Sequence, residues 1–353
     1  MGYVRTVLGD IAPEDVGQVM VHEHVLFDIV PPGAPLGAPL GAPPGATGDR
    51  DAEIAPEERW QIDYRSNETP ANARQTDPVI AAQELRHYAA DGGSLIVDQS
   101  VAGLARDPEG LAQAARASGV HVVAAAGSYT APYVSTDLLD LSVDALAARF
   151  AGEVTTGLDG TPIRAGLIGE IGCSWPLHPF ERRALRAAAR AARATGAALS
   201  VHPGRAPEAC NEVLDIAEQE GLDPRHIILC HMDRTHPDGT GVAPLLARGA
   251  NVEWDFFGIE QSHYWMGEVE LPTDLGRLRL IQRFAEAGHA AQILVSHDIC
   301  TKTRLRRWGG HGYGHLLRNV PALMRRLGFD PALIRRLLRD NPLRLLMMQE
   351  APA

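Results

Sequence analysis

The sequence predicts an α/β fold, a single (β/α)8 TIM barrel with a long Pro/Gly-rich loop after strand 1. Three observations predict it. Eight short β-type apolar runs recur along the 353 residues. Ala/Leu/Arg-rich segments of helical period lie between most of them. No G-x-G-x-x-G follows the first run, so the fingerprint of an open doubly wound sheet is missing. Strands alternating with helices imply a parallel sheet, and eight such units imply a closed barrel.

The strands are read in order at 17–25 (GQVMVHEHV), 94–100 (SLIVDQS), 120–127 (VHVVAAAG), 164–172 (RAGLIGEIG), 198–202 (ALSVH), 226–231 (HIILCH), 250–255 (ANVEWD) and 292–298 (QILVSHD). Helices are read at 77–92, 179–196 and 279–288, where apolar residues recur with helical spacing. The tail, DPALIRRLLRDNPLRLLMM, is an amphipathic helical finish with an Asn-Pro break. Residues 31–48, PPGAPLGAPLGAPPGATG, repeat a Gly-Ala-Pro unit too rich in Pro and Gly for a helix or central strand. They belong to an insertion over 31–66 at the catalytic mouth, either a surface loop or a lid. Residues 1–353 otherwise form one domain.

Bulk composition bounds the function. The formal charge of −11 disfavours nucleic acid and anionic membranes. No apolar stretch approaches the 18 residues of a transmembrane helix. Four cysteines without a C-x-x-C pair do not suit a disulfide framework, and MGYVRTVLGD has no apolar signal region, so a cytoplasmic location is expected. The same decapeptide matches a myristoylation pattern, but no polybasic second signal follows.

The chemistry sits at strand ends. Strand one ends in His22 and His24, strand four in Glu170, strand five in His202, strand six in His231 and strand eight in Asp298. Residues i and i+2 share a strand face, so the first pair can reach one point. In a (β/α)8 barrel the C-terminal ends of the strands converge on one mouth. Four imidazoles and two carboxylates there suit divalent zinc, or manganese, cobalt or iron. Six ligands exceed what one tetrahedral zinc takes, so two metal ions are implied, with Glu170 as the bridging anion. A carbamylated lysine would bridge equally well, but Lys302 is the chain's single lysine and lies beyond strand eight. Lone histidines (His121, His226, His289, His297) are read as ordinary packing residues, and Glu23 is left out of the site because it points to the opposite face.

These motifs carry a resemblance. The H-x-H of strand one, GLIGEIGCSWPLHPFERRAL with Glu170, SVHPGRAPEA, HMDRT, SHDICTKTRL and GGHGYGHLL resemble the amidohydrolase superfamily, its phosphotriesterase-like group, and within that the phosphotriesterase-related subgroup. The resemblance covers residues 3 to about 345. It implies that His22, His24 and Asp298 hold a buried metal, that His202 and His231 hold a more exposed one, and that Glu170 joins them. A hydroxide between the metals would attack the substrate, with Asp298 as general base. Asp233 is a relay partner or an orienter. Phosphotriesterases place a histidine after strand seven in that relay, and here Asp255 stands near that place.

The expected substrate is a small molecule. Arg205, Arg234, Lys302 and Arg304 follow ligand positions closely and suit an anionic group, and Tyr129 is a pocket wall and donor. Animal members of the subgroup are associated with N-acyl amino-sulfonates, so an amide, lactone or ester in a small anionic substrate is expected. Organophosphate triester or lactone hydrolysis, or a non-catalytic ligand-binding barrel, are the alternatives. The family further implies a homodimer.

Overall fold

The computed structural model describes residues 2–30, 52–64, 69–261, 263–264 and 268–349, the side chains of 263–264 excepted. The Gly-Ala-Pro repeat therefore lies outside the described residues. Eight parallel strands form the core sheet: β1 Gln18–Glu23, β2 Gly93–Asp98, β3 His121–Ala126, β4 Leu167–Gly172, β5 Leu199–His202, β6 Ile227–Leu229, β7 Asn251–Trp254 and β8 Ile293–Val295. They pair in sequence order from β1 to β8. Each expected strand is present, shortened by a few residues, except that β2 starts one residue earlier than expected, at Gly93.

Helices cover the outside between successive strands: α1 Pro78–Ala90, α2 Pro108–Ser118, α3 Val143–Thr155, α4 Pro179–Thr195, α5 Pro207–Gln219, α6 Val242–Ala247 and α7 Asp274–Phe284. Their starts are written in the sequence. Asp77, Asp107, Ser142 and Thr273 each cap the first turn with a side-chain oxygen. Gly119 and Gly196 end α2 and α4 at left-handed φ of 78° and 76°.

The floor differs from expectation. Gly2–Thr6 and Gly9–Ile11 form a hairpin, and Met347–Gln349 pairs antiparallel with the first of these strands. Asn341-Pro342 does not break the tail, because Pro342 sits in the first turn of the helix Asn341–Leu346, where its missing N–H costs nothing. Val4, Val16, Leu343 and Leu346 plug the barrel beneath an apolar layer from Val19, Val21, Leu95, Val97, Val123, Leu167, Ile228 and Leu294. Among the described residues no helix is long and apolar enough to cross a membrane.

β1 and β8 exchange no ladder bonds, and side chains close that seam. Ser296 Oγ accepts from the His22 N–H at 3.0 Å, and the Asp298 N–H donates to the His22 carbonyl at 3.1 Å. Glu23 does most of the stapling. Its Oε1 accepts from Ser296 Oγ (2.8 Å), the His297 N–H (3.0 Å) and His297 Nδ1 (2.6 Å), and its Oε2 from the Ile299 N–H (3.0 Å).

Candidate metal centre

Plain alternation along β1 does not aim the histidines. Val19 and Val21 belong to the lumen layer, so continuing their period would turn Glu23 inward. The register shifts between Met20 and Glu23, and that irregularity sets His22 and His24 toward the lumen and Glu23 toward the β8 seam. β4 shows the same device between Ile168 and Ile171, where Glu170 turns inward. His231 and Asp298 follow β6 and β8 with left-handed φ of 58° and 49°, conformations rare for residues with a Cβ. Such re-aiming clusters at functional sites.

The structure brings all six expected ligands together. His24 Nε2 lies 3.2 Å from Glu170 Oε1 and 3.3 Å from Asp298 Oδ1. His202 Nδ1 lies 2.9 Å from Glu170 Oε2 and 2.8 Å from His231 Nε2. His231 Nε2 is 3.3 Å from the same Glu170 oxygen. His22 Nε2 is 3.8 Å from both Glu170 and Asp298 and has no hydrogen-bond partner, although it is buried. His22, His24 and Glu170 form one group of converging donor atoms, and Glu170, His202 and His231 form another.

This donor set fits divalent cations. Outer nitrogens of three imidazoles are already occupied: His22 Nδ1 by Glu253 at 3.1 Å, His24 Nδ1 by Ser100 at 3.0 Å and His231 Nδ1 by Asp255 at 3.0 Å. Each pairing leaves the inner Nε2 lone pair aimed at the centre. His202 is the exception. Arg234 Nη2 donates to its Nε2 at 3.1 Å, so Nδ1 carries the proton and donates to Glu170. Were His202 to hold a cation through Nδ1, the proton would sit on Nε2, which could then no longer accept from Arg234.

Protonation follows the charges. Burial opposes a positive His24, but its hydrogen bonds to the Asp298 and Glu170 carboxylates prevail and raise it to about 10. Burial opposes charge on His22 and His231 too; Cys230 with Glu170 in one case, and Asp255 in the other, raise them. Burial, with Arg234 and His231 beside it, lowers His202 to about 3. Burial works against Glu170 and Asp298 as carboxylates, yet the surrounding imidazoles hold both below their ordinary values. Protons on these histidines occupy the electrostatic place of cations, so cation binding must release them.

Above the centre opens a cavity of about 990 Å³. Tyr129, Arg205, Arg234 and Arg304 line it, as do Arg59 and Asp63 from the described part of the 31–66 insertion. Tyr129 Oη reaches within 3.3 Å of His202 Nδ1. Lys302 is not among the lining residues; its ammonium sits 5.5 Å over the Trp308 ring. Asp233 does not face the centre. Its carboxylate takes Arg277 at 2.5 Å and the Asp255 N–H at 2.9 Å, and so fixes the end of β7. Asp255 holds His231 through ring and backbone, at 3.0 and 2.8 Å. Phe256, with its ring 5.4 Å from that of His231, follows it where a relay histidine was sought.

Sequence reading missed Glu253. It was visible as a carboxylate inside an apolar strand, two residues before Asp255 and on the same face.

The comparisons agree with this geometry. The model of the phosphotriesterase family matches residues 2–346. N-acetyltaurine hydrolase of Salmo salar is 36% identical over 352 residues, covering 98% of each chain. The Homo sapiens enzyme of the same name is 34% identical, covering 97% of each. A resiniferatoxin-binding protein from Rhodobacter sphaeroides superposes with a TM-score of 0.88 at 35% identity, covering 98% of this chain and 95% of the other. Full-length matches to named hydrolases, on a barrel whose mouth gathers His, Glu and Asp donors, mean that this chain belongs to the phosphotriesterase family and is a metal-dependent hydrolase.

Proposed function

We propose that the protein hydrolyses the amide bond of a small anionic N-acyl amine, of the N-acyl amino acid or N-acyl taurine type, with two divalent cations, zinc in the first instance. The observation that carries this reading is the convergence of four imidazoles with the Glu170 and Asp298 carboxylates, in which His22 Nε2 has no partner. His22, His24 and Asp298 would hold one cation, His202 and His231 the other, and Glu170 both. Cations there supply Lewis acidity and make water acidic enough to attack near neutral pH.

The chain's own groups do the rest. Asp298 lies at the cavity floor with its carboxylate kept ionised by His24, so its oxygen can take the proton of the attacking water. It returns that proton to the amide nitrogen as the C–N bond breaks, and the products are a carboxylate and an amine. Tyr129, whose hydroxyl is 3.3 Å from His202 Nδ1, would donate to the substrate carbonyl. Arg205 and Arg234 line the path of an anionic group; Lys302 could join only by leaving Trp308. The curated relatives named for N-acetyltaurine support this substrate class. The reading takes residues 1–353 as one cytoplasmic, homodimeric hydrolase domain with the 31–66 insertion at its mouth.

The test is a hydrolysis panel of N-acyl amino acids, N-acyl taurines, lactones and paraoxon, run with metal analysis and with Asp298→Asn as control. Turnover of paraoxon alone would sink the anionic-amide reading. Protein with well under one equivalent of metal, unmoved by added zinc or manganese, would favour the second reading, a ligand-binding barrel. That reading draws on a cavity of about 990 Å³, roomy for so small a substrate, and on the binding protein it resembles.

A further inference from the structure

We infer that Arg234 is the seat of the substrate's anionic group, one imidazole ring from the cation centre. This rests on the hydrolase reading above and deepens it. Arg234 lines the cavity yet is only 2% exposed. Its guanidinium makes three hydrogen bonds: Nη1 to Thr235 Oγ1 at 3.2 Å, Nη2 to the Pro203 carbonyl at 2.8 Å, and Nη2 to His202 Nε2 at 3.1 Å. None of these partners is an anion. The adjacent Asp233 is taken by Arg277, and no ion pair among the described residues includes Arg234. A buried guanidinium without a counter-charge is costly, and an arriving anion removes that cost.

Other arginines on the wall are served differently. Arg59 faces Asp63 at 3.2 Å. Arg304 is half-exposed and donates to the His297 and Asp298 carbonyls. Arg205 is exposed to water. Arg234 is the buried one of the four.

Distance suits the chemistry. The guanidinium is 3.1 Å beyond one nitrogen of His202, whose other nitrogen is 2.9 Å from Glu170. The guanidinium is thus one imidazole ring and one hydrogen bond from the centre, so an anionic group a few bonds from the scissile amide could reach it. A planar guanidinium meets either oxyanion with two parallel N–H bonds. When His202 holds a cation through Nδ1, its Nε2 can no longer accept from Arg234, which frees a donor on the guanidinium.

The experiment compares wild type, Arg234→Met, Arg234→Lys and Arg304→Met, each metal-loaded and checked for metal content and thermal midpoint. N-acetyltaurine is the anionic probe and N-acetylethanolamine its uncharged counterpart. We expect Arg234→Met to raise KM for N-acetyltaurine at least tenfold, with kcat/KM for the uncharged amide within threefold. Arg234→Lys should recover part of the loss. Equal losses on both substrates, or a larger KM effect from Arg304→Met, would overturn the assignment. A calorimetric titration of N-acetyltaurine into Asp298→Asn separates the two readings. If the wild type turns over none of these amides, binding that is lost on adding Arg234→Met keeps the anion seat and sinks the hydrolase. Turnover with binding indifferent to Arg234 does the reverse. If Arg234→Met loses metal, Arg234→Lys with metal intact decides: a KM rise for N-acetyltaurine well above that for N-acetylethanolamine supports the seat, and equal changes on the two overturn it.

Discussion

The tripeptide His22-Glu23-His24 serves two polar regions that meet back to back, and they differ in one respect. In front, His22 and His24 join a cluster whose ring nitrogens and carboxylates converge and only partly satisfy one another, and His22 Nε2 is left without a partner. Behind, Glu23 makes four hydrogen bonds across the β1–β8 seam, and His297 completes itself by accepting from the Leu316 N–H at 3.1 Å. Both regions are buried and rich in histidine and carboxylate. Satisfied polar atoms hold the fold together, whereas converging unsatisfied ones await a ligand.

The sharpest test of the front is Asp298→Asn. It keeps the shape but removes the proposed proton acceptor, so kcat/KM should fall by about 10² to 10⁴. Urea unfolding of the metal-free protein should weaken as well, because Asp298 is there the partner of a charged His24, so the activity loss is read on metal-loaded protein. A variant that unfolds readily but retains activity would invert the roles assigned to the two regions.

Glu23→Gln tests the back. An amide at this position turns an NH2 toward donors that a carboxylate satisfied, which should destabilise the fold by about 3 kcal/mol. Its readout is the urea midpoint of metal-free protein. Unchanged stability would show that the seam closes without Glu23. Between the regions stands Glu253, which touches His22 but no substrate-facing surface. Glu253→Gln should weaken cation binding about 10- to 100-fold, read by competition with a chelating dye, with a smaller change in folding stability. Full metal affinity in this variant would remove it as the residue that orients His22.

How far the sequence disclosed this follows from the same contrast. The strands and the six converging residues were legible because a parallel barrel spaces its runs regularly and puts chemistry at strand ends. Glu23 was placed on the face away from the ligands, yet its role there was not legible, since the seam it staples is formed by residues 273 or more positions later. The register shift that aims His22 has no sequence signature, because a bulge depends on the neighbouring strand, whereas the one at Glu170 left a trace in Gly169, a strand glycine at φ 110° where a Cβ would meet the Ser200 carbonyl. Lys302 and Asp233 were close to ligands in sequence, but a neighbouring ring and a neighbouring arginine claimed them. The β-strand at Met347–Gln349 lay hidden in a helical tail, because its partner is the far end of the chain.

The smallest predicted effect concerns the rim of the back region and depends on pH. Asp274 caps a buried network: its Oδ1 takes Arg277 at 2.8 Å and its Oδ2 takes His315 Nε2 at 2.6 Å. Burial would raise this carboxyl, but the hydrogen bond from His315 and the charge of Arg277 prevail and bring it down to about 2, against an ordinary 3.8. A carboxyl depressed by folding stabilises the fold above its unfolded value, and that contribution is lost as pH falls through the folded one. The window therefore runs from about pH 4 down to about pH 2, and the amount is about 2 kcal/mol at one pKa unit per 1.36 kcal/mol. Asp274→Asn should cost that much at pH 6 in urea unfolding, and the gap from wild type should narrow as pH drops through the window. A gap that stays constant from pH 6 to pH 3 would mean that Asp274 acts by shape and hydrogen bonding alone, as the satisfied region does elsewhere, and not by charge.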